Sequence, residues 1–189
     1  MRKIPTIYKR VENYVIDELV PGVEWVFGEN VIPRYKWDGI AIYFDGNSWF
    51  ARRSVKANTF FPIDFVPVET DHITSKVFGW LPIQQFSLYK SFLEAIEHEP
   101  FENDLYNRKY SYTPGTYELI GPKINCNPEN MSLHRLVSHT HSPILDNLNQ
   151  IEYSFVNFKK VLQHIPCKGV VWYGPNGELA KLKGKDFRV

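Results

Sequence analysis

The run Lys36-Trp37-Asp38-Gly39 holds side chains suited to covalent chemistry. A lysine becomes a nucleophile at neutral pH only where burial or neighbouring positive charge destabilises its ammonium. An aspartate two residues on can take a hydrogen bond from a sugar hydroxyl, and the glycine after it allows close backbone approach. The run precedes a β-prone segment, so Lys36 is placed in a loop just ahead of a buried strand. Taken alone, the same four residues also describe a surface lysine before a hairpin. Far along the chain, Lys181 and Lys183 alternate with Ala180 and Leu182. Residues two apart in a strand share a face, so both ammonium groups project together and suit a triphosphate. If they lie beside Lys36, they favour its free amine. Glu118 stands in the apolar run Tyr117-Glu118-Leu119-Ile120, where a carboxylate needs a partner: a ribose hydroxyl, a divalent metal or an arginine.

The elements that must position these groups read as strands and hairpins. Ile40–Phe44 and Ser48–Arg53 flank Asp45-Gly46-Asn47, a hairpin pattern. Phe65–Glu69 is a short extended piece, and Pro67 within it points to a sheet edge. Phe86, Tyr89, Leu93 and Ile96 repeat at helical spacing and stop at Pro100. Phe155, Phe158, Leu162 and Ile165 do the same and stop at Pro166. Both stripes read as core faces. Gly115–Ile120 and Gly169–Tyr173 read as strands, and the latter forms a hairpin with Leu179–Lys183 across Pro175-Asn176-Gly177. Strands outnumber helices and hairpins are local, so the class is α+β with largely antiparallel sheets flanked by helices.

Composition narrows the function classes. The chain has 189 residues, 43% hydrophobic and 15% aromatic, enough for one sizeable core. With no linker or repeat, residues 1–189 read as one domain. A net charge of +1 excludes a polybasic tail protein, so any nucleic-acid partner must meet a local basic patch. No apolar run reaches membrane-spanning length and no signal core follows the opening charges, so no membrane partner is expected. Cys126 and Cys167 offer neither zinc spacing nor a disulfide framework, which points to a reduced, intracellular (cytoplasmic) setting. His139-Thr140-His141 lacks a third ligand at useful spacing and reads as a polar loop.

The order of the pieces carries more than any one of them. Lys36-Trp37-Asp38-Gly39, Ala51–Lys56, Tyr117–Asn125, Gly169–Trp172 and Lys181-Leu182-Lys183 resemble motifs I, Ia, III, IV and V of covalent nucleotidyltransferases. The chain is most similar to the small ATP-dependent RNA ligase 1 family, in its bacterial and viral form. The likeness extends to Arg2–Thr6, Phe65–Asp71, Gly121–Asn125, Asn127-Pro128-Glu129 and Lys185-Asp186-Phe187, nearly the whole chain.

The resemblance implies an adenylation domain without a C-terminal oligonucleotide-binding domain. It implies a ligase for RNA ends bearing a 5′-phosphate and a 3′-hydroxyl, using ATP with magnesium or manganese, in a task such as repair of cleaved RNA. Lys36 would carry AMP, with Lys181 and Lys183 on the α-phosphate. Nucleotide contacts would come from Trp37, Asp38, Gly39, Arg53, Glu118 and Val170, with Glu118 also able to meet the metal. Arg52 and Arg53 point to opposite strand faces, so only one can serve; Arg53 is taken here. Lys56, Lys123, Lys185 and Arg188 are candidate RNA-phosphate contacts.

One departure matters. Motif IV of this family usually opens on a glutamate, and here Lys168 stands in its place. An ammonium cannot ligate a metal. Three readings follow: Glu152 or Glu178 substitutes, Lys168 binds a phosphate itself, or activity is impaired and the chain is a nucleotide- or RNA-binding homologue. A DNA ligase or capping enzyme shares the lysine motif but would need a further domain after motif V. An NAD-dependent ligase would need one before Lys36.

Overall fold

The computed structural model describes residues 2–56, 58–72, 74–97 and 112–188. The expected helix stop at Pro100 lies outside them. The chain reads as one domain in sequence, but it forms two compact units, neither contiguous. The first comprises Met1–Lys3 with Asp38–His141, and the second Ile4–Trp37 with Ser142–Val189. The divisions fall directly after Lys36-Trp37 and after the His139-Thr140-His141 loop. Neither place has linker composition, so sequence gave no sign of them.

In chain order the strands are β1 (Tyr8–Val11), β2 (Tyr14–Leu19), β3 (Ile32–Lys36), β4 (Ile40–Phe44), β5 (Trp49–Lys56) and β6 (Val66–Asp71). Then follow β7 (Lys76–Pro82), β8 (Gly115–Ile120), β9 (Arg135–Ser138), β10 (Gly169–Tyr173) and β11 (Leu179–Lys183). The helices are α1 (Tyr89–Glu97), α2 (Asp146–Asn149) and α3 (Phe155–Leu162). Every strand pairing within the sheets is antiparallel, as the hairpin pattern predicted.

The first unit is built on a six-stranded sheet in the order β6-β7-β5-β4-β8-β9. The β4–β5 hairpin turns where expected: the Asp45 carboxylate accepts the amides of Asn47 and Ser48, both at 2.7 Å. β6 is an edge strand, as its proline requires. One sheet face carries Ile42, Ala51, Tyr117, Leu119 and Leu136 into a core with Phe92 and Ala95 of α1. Residues one along from these fall on the other face, described below.

The second unit has a three-stranded sheet, β11-β10-β3, and the β1–β2 ribbon. Its core joins Val170, Trp172, Ala180 and Leu182 from one sheet face to Phe158 and Leu162 of α3. This is the apolar stripe of α3 doing what its spacing predicted. Strand pairing extends past both sheet edges. Thr6 bridges Lys181 in parallel, and Ile144 bridges Arg34.

Tyr8, 2% exposed, packs edge-on to Phe155 at 5.0 Å. Burial, helped by the Asp17 charge, pushes its phenol up from 10.0 to about 12. Unfolded, the phenol ionises near its ordinary value, so stability is full below that and falls as pH climbs toward 12. Tyr8→Phe is expected to flatten the fall by on the order of 2 kcal/mol, read from denaturation midpoints across alkaline pH. Tyr112, also pushed up to about 12, keeps its own share of the slope in that variant.

Candidate functional site

In the second unit, sheet parity assembles a cationic face. Gly169 of β10 pairs with Lys36 of β3 on one side and with Lys183 of β11 on the other. Two residues along, Val171 pairs with Arg34 and Lys181. Directly paired residues share a face, so Arg34, Lys36, Lys181 and Lys183 all project from the side opposite the α3-packed core. Two strand spacings put the Lys36 and Lys183 backbones roughly 10 Å apart. Only a glycine lies between them, leaving an open floor with an amine on either side.

Gly169 is required there. A Cβ on it would meet the Leu182 carbonyl oxygen at 2.2 Å and the Lys183 Cα at 2.7 Å. Burial holds the Lys183 ammonium below its ordinary pKa; the Lys168, Lys185 and Lys36 charges add to this and Asp186 opposes it. Lys36 is thus one of the cations that Lys183 feels, and a neighbouring cation is one condition that favours a lysine's free amine. Arg34 is fixed on this face: its guanidinium donates to the Ser142 carbonyl at 2.7 Å and lies 5.7 Å from the Tyr173 ring centre.

Lys168, half-buried just before β10, belongs to the same field. Neither acid weighed as its substitute lies in the lysine row. Glu178 sits at the far end of the β10–β11 hairpin, binding the Asn176 amide at 2.9 Å. That is five residues, roughly 17 Å along the strand direction, from Lys183. Glu152 lies on the α3 side, lining an open cleft with Asn157, Lys160 and His164. Lys168 adds its charge to that felt by Lys183.

In the first unit, Glu118 is 7% exposed, and its partners are now identified. The Gly39 amide donates to Oε1 at 3.0 Å, and His139 Nε2 stands 2.7 Å from Oε2. His139 Nδ1 meets the Thr116 hydroxyl at 3.0 Å. Gly39 has no room for a side chain, since a Cβ would come within 2.2 Å of the Leu119 carbonyl oxygen. Its glycine is thus needed for packing against β8. The Asn125 amide binds the Asp38 carboxylate at 3.0 Å and both following carbonyls, while Glu129 accepts from the Asp38 amide at 3.0 Å.

Several sequence expectations change. Lys36 is the last residue of β3 rather than part of a loop, because its backbone pairs with Gly169. Val170 is fully buried on the α3 side, so it cannot contact a nucleotide on the lysine face; Val171 is the apolar residue there. Arg52 rather than Arg53 shares a face with Glu118: it pairs with Trp80, two along from the Phe50–Pro82 pair, and feels the Glu118 charge. Its guanidinium is half-buried 5.0 Å from the Phe78 ring centre, and Nη2 has no hydrogen-bond partner among the described residues. Arg53 is exposed on the opposite face. Trp37 is tied down, its indole donating to Ser142 Oγ at 3.0 Å and its ring 4.4 Å from Tyr35.

Glu118 meets a backbone amide through one oxygen and a histidine through the other, and each oxygen keeps a second lone pair. No group of three acidic, histidine or cysteine side chains placed for a metal occurs among the described residues. Lys56, Lys123, Lys185 and Arg188 are all exposed. Sequence reasoning missed Arg34, Arg52 and His139. Arg34 was within reach, two residues before Lys36, had β3 been recognised. His139 required knowing that β9 pairs Val137 with Glu118. No helix is long and apolar enough to cross a membrane among the described residues. No protein-family profile and no curated protein matches the chain.

Proposed function

We propose that this chain is an ATP-dependent RNA ligase that seals a 5′-phosphate to a 3′-hydroxyl through a lysine–AMP intermediate. The observation that carries the reading is the row Lys36–Gly169–Lys183, with Arg34 and Lys181 on the same face. The Lys36 amine bonds to the α-phosphorus of ATP, pyrophosphate leaves with the electron pair, and the nitrogen gives up a proton. The RNA 5′-phosphate oxygen then displaces the lysine nitrogen, which leaves protonated. Last, a 3′-hydroxyl loses its proton, attacks the RNA phosphorus and expels AMP. Such transfers need positioning and charge neutralisation, which Lys181, Lys183 and Arg34 supply. Magnesium needs no protein cage when it is carried on the triphosphate.

The test is covalent labelling with ATP or GTP tagged at the α-phosphate. An adduct from ATP supports the ligase, and one from GTP alone supports a capping enzyme. Labelling by neither supports the second reading, a phosphate-binding homologue, which Lys168 favours by standing where a carboxylate is usual. Lys168→Glu separates the two further. If Lys168 holds a phosphate, adduct yield falls about tenfold; a rise would mark the parent as impaired.

A further inference from the structure

Lys56 and Lys76 are directly opposite each other on β5 and β7, and both are exposed. Like charges directly opposite in a sheet are unfavourable, and neither ammonium makes an ion pair or hydrogen bond among the described residues. Asp71 lies across from Lys76 on β6, but its carboxylate takes the Lys3 ammonium at 2.8 Å and the Thr74 amide at 3.1 Å. The other acid on that strand's shared face, Glu69, accepts the Lys3 amide at 2.6 Å. The same sheet face continues from Lys56 through Ser54 to Arg52, with Phe78 across from Ser54. It is a strip of cations and an aromatic ring.

The turn leaving β5 adds an aromatic to the end of this strip. The Thr59 amide and hydroxyl both donate to the Lys56 carbonyl, at 3.1 and 2.8 Å, and the next residue, Phe60, is fully exposed. Its loop is anchored. Gln85 donates to the Ile63 carbonyl at 3.0 Å, and Phe61 packs 5.2 Å from the Phe65 ring centre. A bare phenyl ring on a fixed loop beside paired ammonium groups is what single strands use: a stacking surface next to phosphate contacts.

We propose that Lys56, Lys76 and Phe60 form a landing site for single-stranded RNA, the lysines on neighbouring phosphates and the ring against a base. The choice of RNA rests on the ligase reading; the site itself rests on the register and the exposed ring.

The experiment measures anisotropy of a labelled single-stranded oligoribonucleotide with the full chain across salt concentrations, beside ATP labelling without RNA. Phe60→Ala should weaken binding about tenfold. Lys56→Ala with Lys76→Ala should lower the salt slope by about 1.4, two contacts at about 0.7 each. Neither change should alter ATP labelling. Unchanged affinity and slope in both variants overturn the site, as does failure of a parent that labels with ATP to bind the oligonucleotide. A shift in sedimentation of the parent that Phe60→Ala abolishes, with RNA affinity intact, would assign the ring to a second copy of the chain instead. If the parent binds RNA and the variants do not, while no ATP adduct ever forms, the site stands and the ligase reading fails.

Discussion

Lys36→Ala is expected to abolish the nucleotide adduct of the proposed reaction, with labelling falling by more than about a thousandfold. In the proposed reaction the amine forms the bond, and no neighbour stands at its place in the sheet. Lys183 projects from a strand two positions away, and Lys181 is paired with Val171 rather than with Gly169. Lys36→Arg should fail equally, because a guanidinium stays protonated and presents no lone pair. Lys183→Ala leaves the nucleophile but removes a phosphate contact, so labelling should drop by about a hundredfold. A half-buried strand end tolerates truncation, so circular dichroism and melting of Lys36→Ala should match the parent. Persistence of labelled protein in Lys36→Ala would move the chemistry to another residue and end the assignment.

Gly169→Ala has the second largest effect, and it falls on stability. The added methyl would press on the Leu182 carbonyl and Lys183 backbone, neither of which can swing away. β10 and β11 must therefore part. Overpacking of this kind costs about 1–3 kcal/mol, with backbone strain at φ +156° added. The second unit should melt roughly 5–10 °C lower. Gly177→Ala is the control. It also has positive φ, +83°, but no atom lies within 4 Å of the added carbon, so its cost should be about 1 kcal/mol. Equal melting of the two variants would mean that close strand approach at Gly169 is unimportant. Any Gly169→Ala protein that folds should also label poorly, because its lysine row is distorted.

The parts of the fold that sequence revealed are those whose signals are local. Asp45-Gly46-Asn47 closes the β4–β5 turn through its own side chain, and the stripe on α3 needs only its spacing. The β10–β11 hairpin was legible from Pro175-Asn176-Gly177. Pairings between distant strands were not. Nothing in Ile32-Pro33-Arg34-Tyr35-Lys36 names Gly169 as a partner, and a proline inside it argues against a strand unless pairing is known. β7 holds Gly79 and ends on Pro82, so it lacks the alternation that marks a strand. Choices of face were out of reach for a related reason. Arg52 against Arg53, and Val170 against Val171, differ by one residue, and a single step in register exchanges the faces. The nucleophile could be chosen because residue type and motif order point to it. Arg34 and His139 could not, because their roles come from the strand beside them.

The division of the chain has a consequence for how it matures on the ribosome. The first unit draws all six strands of its sheet from one unbroken stretch, Asp38–His141, and can collapse as soon as that stretch emerges. β3 must wait for β10, more than a hundred residues later, before its edge can be satisfied. A nascent protein therefore carries Lys36 long before the strands bearing Gly169, Lys181 and Lys183 are translated. Until then Lys36 lacks the paired strands beside it, so in the proposed reaction its readiness would come only late in folding.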